Sequence, residues 1–183
     1  MRPVEDVTIL PFQGIAPVID PTAFVAPGCR IIGDVRIGAD TSIWYNCVIR
    51  GDVGRITIGA RTNIQDGTIV HVTGGAHDTE IGADVLIGHI AIIHGCKLHD
   101  RAFVGLGAIV MDGCEIEPTG MLAAGAMLTP GKRIAAGQMW AGRPAKFIRD
   151  LSEEEMAGHR AGVAHYIENG RAHALALAAA TGF

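Results

Sequence analysis

Aliphatic residues recur every six positions through most of the chain, and polar or small residues fill the places between them. The anchors of this series are Ile19, Val25, Ile31, Ile37, Ile43, Ile49, Ile58, Ile64, Val70, Ile81, Ile87, Ile93, Leu98, Val104, Val110, Ile116, Leu122, Leu128 and Ile134. A period of six fits neither an α-helix nor a simple hairpin sheet. It predicts a parallel β-helix, in which three such units make one coil of about 18 residues.

The position four residues after each anchor is usually small, which limits the width of the predicted coil. Aromatic residues make up only 5% of the chain while glycine contributes 25 residues, as expected for an interior with no room for rings. Cys29, Cys47 and Cys114 occupy the small position, so we interpret them as core residues rather than reactive thiols. The wide spacing of the cysteines predicts neither disulfides nor a zinc ribbon and favours a reduced, cytoplasmic setting.

The pattern divides the chain into a lead-in at residues 1–16, hexapeptide repeats at 17–145 and a helical segment at 146–183. The repeats are long enough for about seven triangular coils. Ser152 and Glu155 form a capping box, which predicts a C-terminal α-helix that ends near Gly170. A second, alanine-rich helix is predicted at 171–180. The predicted fold is therefore all-β with a helical end.

The charge and hydropathy of the chain argue against several classes of partner. The formal net charge is -4 and no long run of basic residues occurs, so we expect no nucleic-acid partner. No apolar run approaches the roughly 20 residues that span a bilayer, so we expect no membrane partner. The N-terminus lacks the apolar stretch of a secretory signal, and we expect none.

Three histidines take related positions in the repeat. His71 and His94 each follow an anchor by one residue and lie one coil apart, so they are predicted to stack on one flat with imidazoles that can converge on one ion. His89 lies two residues past the anchor Ile87, on the preceding flat, and points from another side of the coil. Three flats and this two-plus-one set predict a cyclic trimer, in which His89 of one subunit completes the metal site of its neighbour.

Other polar residues share the columns of these histidines. Arg50 lies one coil before His71, and Gln65 and Asp66 lie on the flat that carries His89. We expect them to meet at the same subunit interface. The alternative for Arg50 and Asp52 is a simple interface ion pair that also shapes the pocket. The five histidines without such a relation, predicted to be surface residues, are His77, His99, His159, His165 and His173.

Four segments carry a resemblance over almost the whole chain: VIRGD, IGARTNIQDGTIVHV, VLIGHIAIIHGC and AGRPAKFIRDLSEEE. Together they resemble the gamma-class carbonic anhydrase family. The resemblance implies a left-handed β-helix and a homotrimer, with metal bound by His71 and His94 of one subunit and His89 of the next. It implies that Gln65 orients the metal-bound water and that Asn63 supports the pocket. It also implies that Arg50 and Asp52 form an interface ion-pair network and that Tyr166 reaches the pocket from the C-terminal helix.

The implied reaction is the reversible hydration of CO2 to bicarbonate by a metal-bound hydroxide at a subunit interface. Zinc is the expected metal, and Fe²⁺ or Co²⁺ would suit the same imidazole ligands. One departure from the family lies in the loop at residues 72–80, because strongly active members have a longer acidic loop with a glutamate thought to shuttle protons. His77, Asp78 or Glu80 could substitute for it.

Two other functions stay open at this point. Many hexapeptide-repeat proteins transfer acyl groups from coenzyme A or acyl carrier protein, which requires one histidine base and no metal. A metal-bearing trimer could also serve as a scaffold, or hydrolyse another substrate such as a thioester. Metal content separates the first alternative from a carbonic anhydrase, and the rate of CO2 hydration separates the second.

Overall fold

The computed structural model describes residues 6–181 as short strands followed by one helix. In chain order the elements are β1 Thr8–Leu10, β2 Val18–Ile19, β3 Phe24–Val25, β4 Arg30–Ile37, β5 Ser42–Ile43, β6 Val48–Ile58, β7 Asn63–Ile64, β8 Ile69–His71, β9 Thr79–Ile81, β10 Leu86–Ile87, β11 Ile92–His94, β12 Lys97–Leu98, β13 Phe103–Val104, β14 Ile109–Val110, β15 Glu115–Ile116, β16 Met121–Leu122, β17 Met127–Leu128, β18 Arg133–Ile134, β19 Gln138–Ala141, β20 Lys146–Asp150 and α1 Glu153–Thr181.

The strands wind into a three-sided solenoid, so the predicted parallel β-helix is confirmed. Flat 1 contains β1, β8, β11, β14 and β17, and flat 2 contains β2, β9, β12, β15 and β18. The long strands β4 and β6 run around the corner between these two flats and belong to both. Flat 3 contains β3, β5, β7, β10, β13, β16, β19 and β20. All pairings between coils are parallel up to β19, so equivalent residues of successive coils stand in columns.

The anchors form the core. From Ile31 to Ile134 each anchor is at most 4% exposed, which confirms the interpretation of the six-residue period. The small inward positions are also buried, and where they are polar they bond to the next coil, as Thr62 Oγ1 does by donating to the Gly82 carbonyl at 2.7 Å. Cys29, Cys47 and Cys114 are free, buried thiols in this column. The interior is therefore a narrow aliphatic column.

Glycine after an anchor reflects the close spacing of the coils. A Cβ on Gly105 would lie 2.3 Å from the backbone nitrogen of Ala124 in the next coil, and one on Gly88 would lie 2.6 Å from that of Leu106. Real Cβ atoms do not approach backbone so closely. Only glycine therefore fits at these corners without moving one coil away from the next.

Helix α1 lies across flat 3. The capping box is present, because the Ser152 backbone N–H donates to Glu155 Oε2 at 2.9 Å and the Glu155 N–H donates to Ser152 Oγ at 3.2 Å. The predicted break near Gly170 is wrong: the helix continues to Thr181, and Gly170 is buried against Phe24 and Ser42. Packing against flat 3 overrides the low helix propensity of that glycine. Within residues 6–181 no helix is both long and apolar enough to cross a membrane.

The chain reverses direction at the end of the solenoid. Strand β20 pairs antiparallel with β19 at the edge of flat 3, and all five of its residues are exposed. The turn between them also covers part of flat 1, because the Met127 N–H donates to the Gly142 carbonyl at 2.9 Å and the Ala145 N–H donates to the Met127 carbonyl at 2.8 Å. The last coil thus has partners on two of its three sides.

The start of α1 should make stability depend on pH. Hydrogen bonds from Arg149 and from the Ser152 backbone lower the pKa of Glu155 from 4.5 to about 2. Because the folded pKa is depressed, the contribution of Glu155 is fully present above pH 4.5 and is lost as the pH falls through 2. The difference in unfolding free energy between the wild type and Glu155→Gln should therefore shrink over that range in denaturant titrations followed by circular dichroism. Glu154→Gln, outside the capping box, is the control, and a constant difference for Glu155→Gln would contradict the prediction.

Candidate metal centre

His71 and His94 lie side by side on flat 1. They are register partners in β8 and β11, and the repeat places both side chains on the outer face of the coil. Nδ1 of His71 and Nε2 of His94 are 3.1 Å apart, with the ring planes inclined at 62°. Two nitrogen ligands of a tetrahedral zinc ion, each at about 2.0–2.1 Å, would be roughly 3.3 Å apart. The spacing of the two rings is therefore close to that of a ligand pair.

The outer nitrogen of each ring is bound to a carboxylate. His71 Nε2 lies 3.0 Å from Asp52 Oδ1, and His94 Nδ1 lies 2.5 Å from Asp112 Oδ1. Arg50 Nη1 donates to the other oxygen of Asp52. A histidine that donates its outer N–H to a carboxylate has its ring orientation and tautomer fixed, as is usual for metal-binding histidines.

These bonds lower the pKa of both carboxylates. Burial would raise the pKa of Asp52, but hydrogen bonds from His71 and Arg50 outweigh it and hold the pKa below the ordinary 3.8. Burial acts in the same direction on Asp112, and hydrogen bonds from Thr73 and His94 again lower its pKa. Two imidazoles that donate outward to carboxylates leave two lone pairs facing each other. A cation between them removes that repulsion, so this donor set fits a divalent metal ion.

A second group of residues lies at the edge of flat 3. His89 Nδ1 is 2.8 Å from Asp66 Oδ2, and the His89 side chain is 42% exposed. Tyr166 reaches this edge from α1 and packs edge-on against Trp44, with ring centroids 5.7 Å apart. Burial and then the negative charge of Asp66 raise the pKa of Tyr166 above 10.0, and a hydrogen bond with Gln65 opposes them. His89 therefore repeats the carboxylate–histidine pattern of flat 1.

Asn63 lies beneath α1. Its side chain is 1% exposed, and Nδ2 donates to Ser42 Oγ at 2.9 Å. Oδ1 is buried and has no hydrogen-bond partner among residues 6–181. Asn63 thus links two neighbouring strands of flat 3, β5 and β7, two residues before Gln65.

The structure of one chain divides the predicted site residues into two half-sites. Flat 1 carries the first, with Arg50, Asp52, His71 and His94, and the edge of flat 3 carries the second, with Gln65, Asp66, His89 and Tyr166. In the part of the chain that the structure describes, no three His, Cys, Asp or Glu side chains gather around a point that could hold a metal ion. One chain therefore brings two of the three predicted ligands together.

Sequence reasoning missed Asp112 and Thr73. Asp112 lies 18 residues after His94, one position past Met111, which is the residue that stands beside His94 in the next coil, so the repeat gave no direct signal for it. Thr73 Oγ1 donates to Asp112 Oδ2 at 2.6 Å. Thr73 belongs to the loop at 72–80, whose fold the repeat does not determine.

The prediction that the other five histidines lie on the surface is wrong for two of them. His159 stacks on Phe103, with centroids 4.4 Å apart and planes inclined at 18°. His173 Nδ1 lies 2.9 Å from the hydroxyl of Tyr45. Both imidazoles pack between α1 and flat 3, where the helix covers them.

Comparison with known proteins agrees with this architecture. The family model described as "Bacterial transferase hexapeptide (six repeats)" matches residues 16–51. Mitochondrial gamma carbonic anhydrase 1 of Arabidopsis thaliana is 47% identical over 164 residues, which are 87% of this chain and 60% of the relative. Protein YrdA of Escherichia coli is 40% identical over 86% of this chain and 89% of its own length. The chain belongs to the gamma-class carbonic anhydrase family.

Among solved structures, a hexapeptide transferase family protein from Anaplasma phagocytophilum superimposes on this gamma-class chain with a TM-score of 0.87. The two are 50% identical, and the match covers 90% of this chain and 97% of the other. The chain spans about 60% of the length of the plant gamma carbonic anhydrases that it matches.

Removing the carboxylate behind His94 should weaken metal binding. We expect Asp112→Asn to raise the dissociation constant for Zn²⁺ by about 10- to 100-fold, because the His94 ring loses the partner that sets its tautomer. Competition with a chromophoric chelator measures this constant. Asp84→Asn, which alters a carboxylate bound to Arg61 on another corner, is the matched control and should leave it unchanged. Equal affinities for wild type and Asp112→Asn would contradict the prediction.

Proposed function

We propose that this protein is a carbonic anhydrase that reversibly hydrates CO2 to bicarbonate at a divalent metal ion held between the subunits of a homotrimer. The observation that carries the proposal is the pair of facing nitrogens on His71 and His94, 3.1 Å apart, with the outer nitrogen of each ring on a carboxylate. His89 also has one ring nitrogen on a carboxylate, and its partly exposed side chain lies at the edge of another flat. It would supply the third ligand to a neighbouring subunit.

The metal would be held by His71 and His94 of one subunit and His89 of the next. Zinc fits three neutral imidazoles, and Fe²⁺ or Co²⁺ accepts the same ligands. When bound, such an ion acts as a Lewis acid that lowers the pKa of a bound water molecule to about 7.

The surroundings of the histidines suit an uncharged substrate and a charged product. A cleft of about 330 Å³ beside His94 has Ile92, Ile109 and Met111 in its lining, and an apolar wall accepts CO2 without loss of hydrogen bonds. At the other half-site the Tyr166 hydroxyl, whose pKa lies above its ordinary 10.0, is protonated at neutral pH and can donate a hydrogen bond. Gln65 can donate through its side-chain amide, and the two together can orient the oxygen atoms of bicarbonate.

Exposed aliphatic side chains support association through these faces. Ile69 and Ile92 are exposed on flat 1, and Ile90 and Leu106, at the corner beside His89, are 72% and 52% exposed. Apolar side chains grouped around both half-sites are typical of a protein interface. Burying them between subunits would also exclude water from around the ligands.

Two alternatives are separated by metal content and substrate. An acyltransferase is favoured by the name of the 50% identical hexapeptide transferase family protein, and it requires no metal. A metal-bearing trimer that acts as a scaffold or hydrolyses a thioester would share the metal but not the CO2 hydration. Stoichiometric Zn²⁺ or Fe²⁺ in purified protein argues against the first, and stopped-flow CO2 hydration decides the second.

The shared site predicts complementation between inactive variants. His89→Ala and His94→Ala should each lose metal binding at every interface. When the two chains are unfolded, mixed in equal amounts and refolded together, about one interface in four should regain a complete ligand set. Elemental analysis of the mixed trimer should therefore show about a quarter of the wild-type metal content, with CO2 hydration restored in proportion.

The matched control is the double variant His89→Ala with His94→Ala mixed with itself, which has no complete interface in any arrangement. If all three ligands came from one chain, the mixture of single variants would stay as empty as this control. That outcome would contradict the shared site.

Activity should depend on the flat 1 ligands. His94→Ala is expected to lower the CO2 hydration rate by more than about 100-fold, because one ligand and the donor to Asp112 are lost together. Stopped-flow spectrophotometry with a pH indicator measures the rate. His99→Ala, which follows β12 on flat 2, is the control, and equal rates for His94→Ala and the wild type would exclude the proposed reaction.

A further inference from the structure

The loop at residues 72–80 is a tight hairpin that connects flat 1 to flat 2. The His77 backbone N–H donates to the Thr73 carbonyl at 3.0 Å, and the Thr73 N–H donates back to the His77 carbonyl at 3.2 Å. Its residues 74–78 are exposed, whereas Val72 and Thr79 at its two ends are buried. The ends of the loop are therefore held in place while its tip faces solvent.

Both threonines of this loop bond to groups that hold the histidine pair. Thr79 Oγ1 donates to the His71 carbonyl at 2.7 Å, and Thr79 is fully buried. Thr73 Oγ1 donates to Asp112 Oδ2 at 2.6 Å, while the other oxygen of Asp112 lies 2.5 Å from His94 Nδ1. The loop thus touches one histidine through its backbone and the other through a carboxylate.

Thr73 fixes an otherwise mobile carboxylate. The Asp112 side chain is 31% exposed, so a carboxylate held only by His94 could rotate toward water. A second hydrogen bond to its other oxygen sets the plane of the carboxylate, and that plane determines where the His94 ring points. Thr73 therefore acts on the metal ligand through Asp112.

The acidic residues of the same loop have other partners. Asp78 Oδ1 accepts a hydrogen bond from the Arg55 backbone N–H at 2.8 Å, and Glu80 forms an ion pair with Lys97 on flat 2 at 3.0 Å. Both carboxylates thus tie the loop to flat 2 and not to the histidine pair. The loop contacts the surroundings of that pair through its threonine hydroxyls.

We propose that the loop at 72–80 braces the metal centre and that Thr73 is a positioning residue for His94. The proposal rests on the proposed function, because it assumes that the ion is held by His71 and His94. In this proposal the threonines of the short loop set the geometry of the metal ligands, and its acidic residues do not.

The test compares two substitutions of Thr73 in the full-length trimer. Thr73→Val keeps the shape of the side chain and removes the hydroxyl, and it should raise the dissociation constant for Co²⁺ by about 3- to 10-fold, as expected for one hydrogen bond. Thr73→Ser keeps the hydroxyl and should restore affinity to within about twofold. The constant is measured by chelator competition with metal-free protein.

A double-mutant cycle separates positioning from a general effect on folding. If Thr73 acts through Asp112, Thr73→Val should have no further effect in an Asp112→Asn background. Thr22→Val is the matched control, because Thr22 Oγ1 makes the same kind of bond to Asp20, at 2.7 Å, away from the histidines. It should leave Co²⁺ affinity unchanged.

The outcomes distinguish this inference from the function on which it rests. Metal binding by the wild type with unchanged affinity in Thr73→Val would overturn the positioning role alone. An equal loss from Thr73→Val in both backgrounds would also overturn it, because the effect would not pass through Asp112. A wild-type trimer that binds neither Co²⁺ nor Zn²⁺ would overturn both proposals.

Discussion

The in-register stacking of parallel coils is the constraint on which the rest of the structure depends. Each coil can follow the last only at the spacing of neighbouring strands, about 4.8 Å, so residues at equivalent positions form columns. The column that contains His71 and His94 places the two residues side by side, with their facing nitrogens 3.1 Å apart. The same constraint narrows the bore and excludes side chains at the corner glycines. Fold and ligand spacing therefore have one cause.

Carboxylates give these columns their chemistry. A histidine column alone would allow several tautomers and ring orientations, but Asp52, Asp66 and Asp112 each take one ring nitrogen of a different histidine. The remaining nitrogens of His71 and His94 face each other on flat 1, and the remaining nitrogen of His89 lies at the edge of flat 3. In the proposed trimer, each subunit contributes two ligands to one centre and one ligand to another, and formation of a complete centre is coupled to assembly.

Much of the fold could be predicted because few structures repeat every six residues. Anchors such as Ile64 and Ile93 recur at this period because they form the core of a parallel β-helix. The histidine columns followed from the same count. Asp112 escaped it because the deletion after His94 shifts the register: Val110 pairs with Ile93, so Met111 stands beside His94 and Asp112 lies one position further. A rule that reads only equivalent positions would therefore find Met111.

The helix was harder to predict for a different reason. Gly170 favours a helix end when considered alone, and its burial against flat 3 becomes apparent only when the packing is known. His159 and His173 lie under the helix for the same reason. Loop 72–80 likewise lies outside the repeat, so the bond from Thr73 could not be read from the period.

The reversal of the chain after the last coil decides how long the solenoid is. A stack of parallel coils has no natural end, because the peptide groups of its final coil are unpaired and could bind a further coil. Strand β20 runs antiparallel to that direction and all five of its residues are exposed, while Gly142 and Ala145 form hydrogen bonds with the peptide groups of Met127. An incoming parallel strand finds these groups already taken. Coils could thus be gained or lost upstream during evolution without exposing the protein to end-to-end polymerisation into fibres.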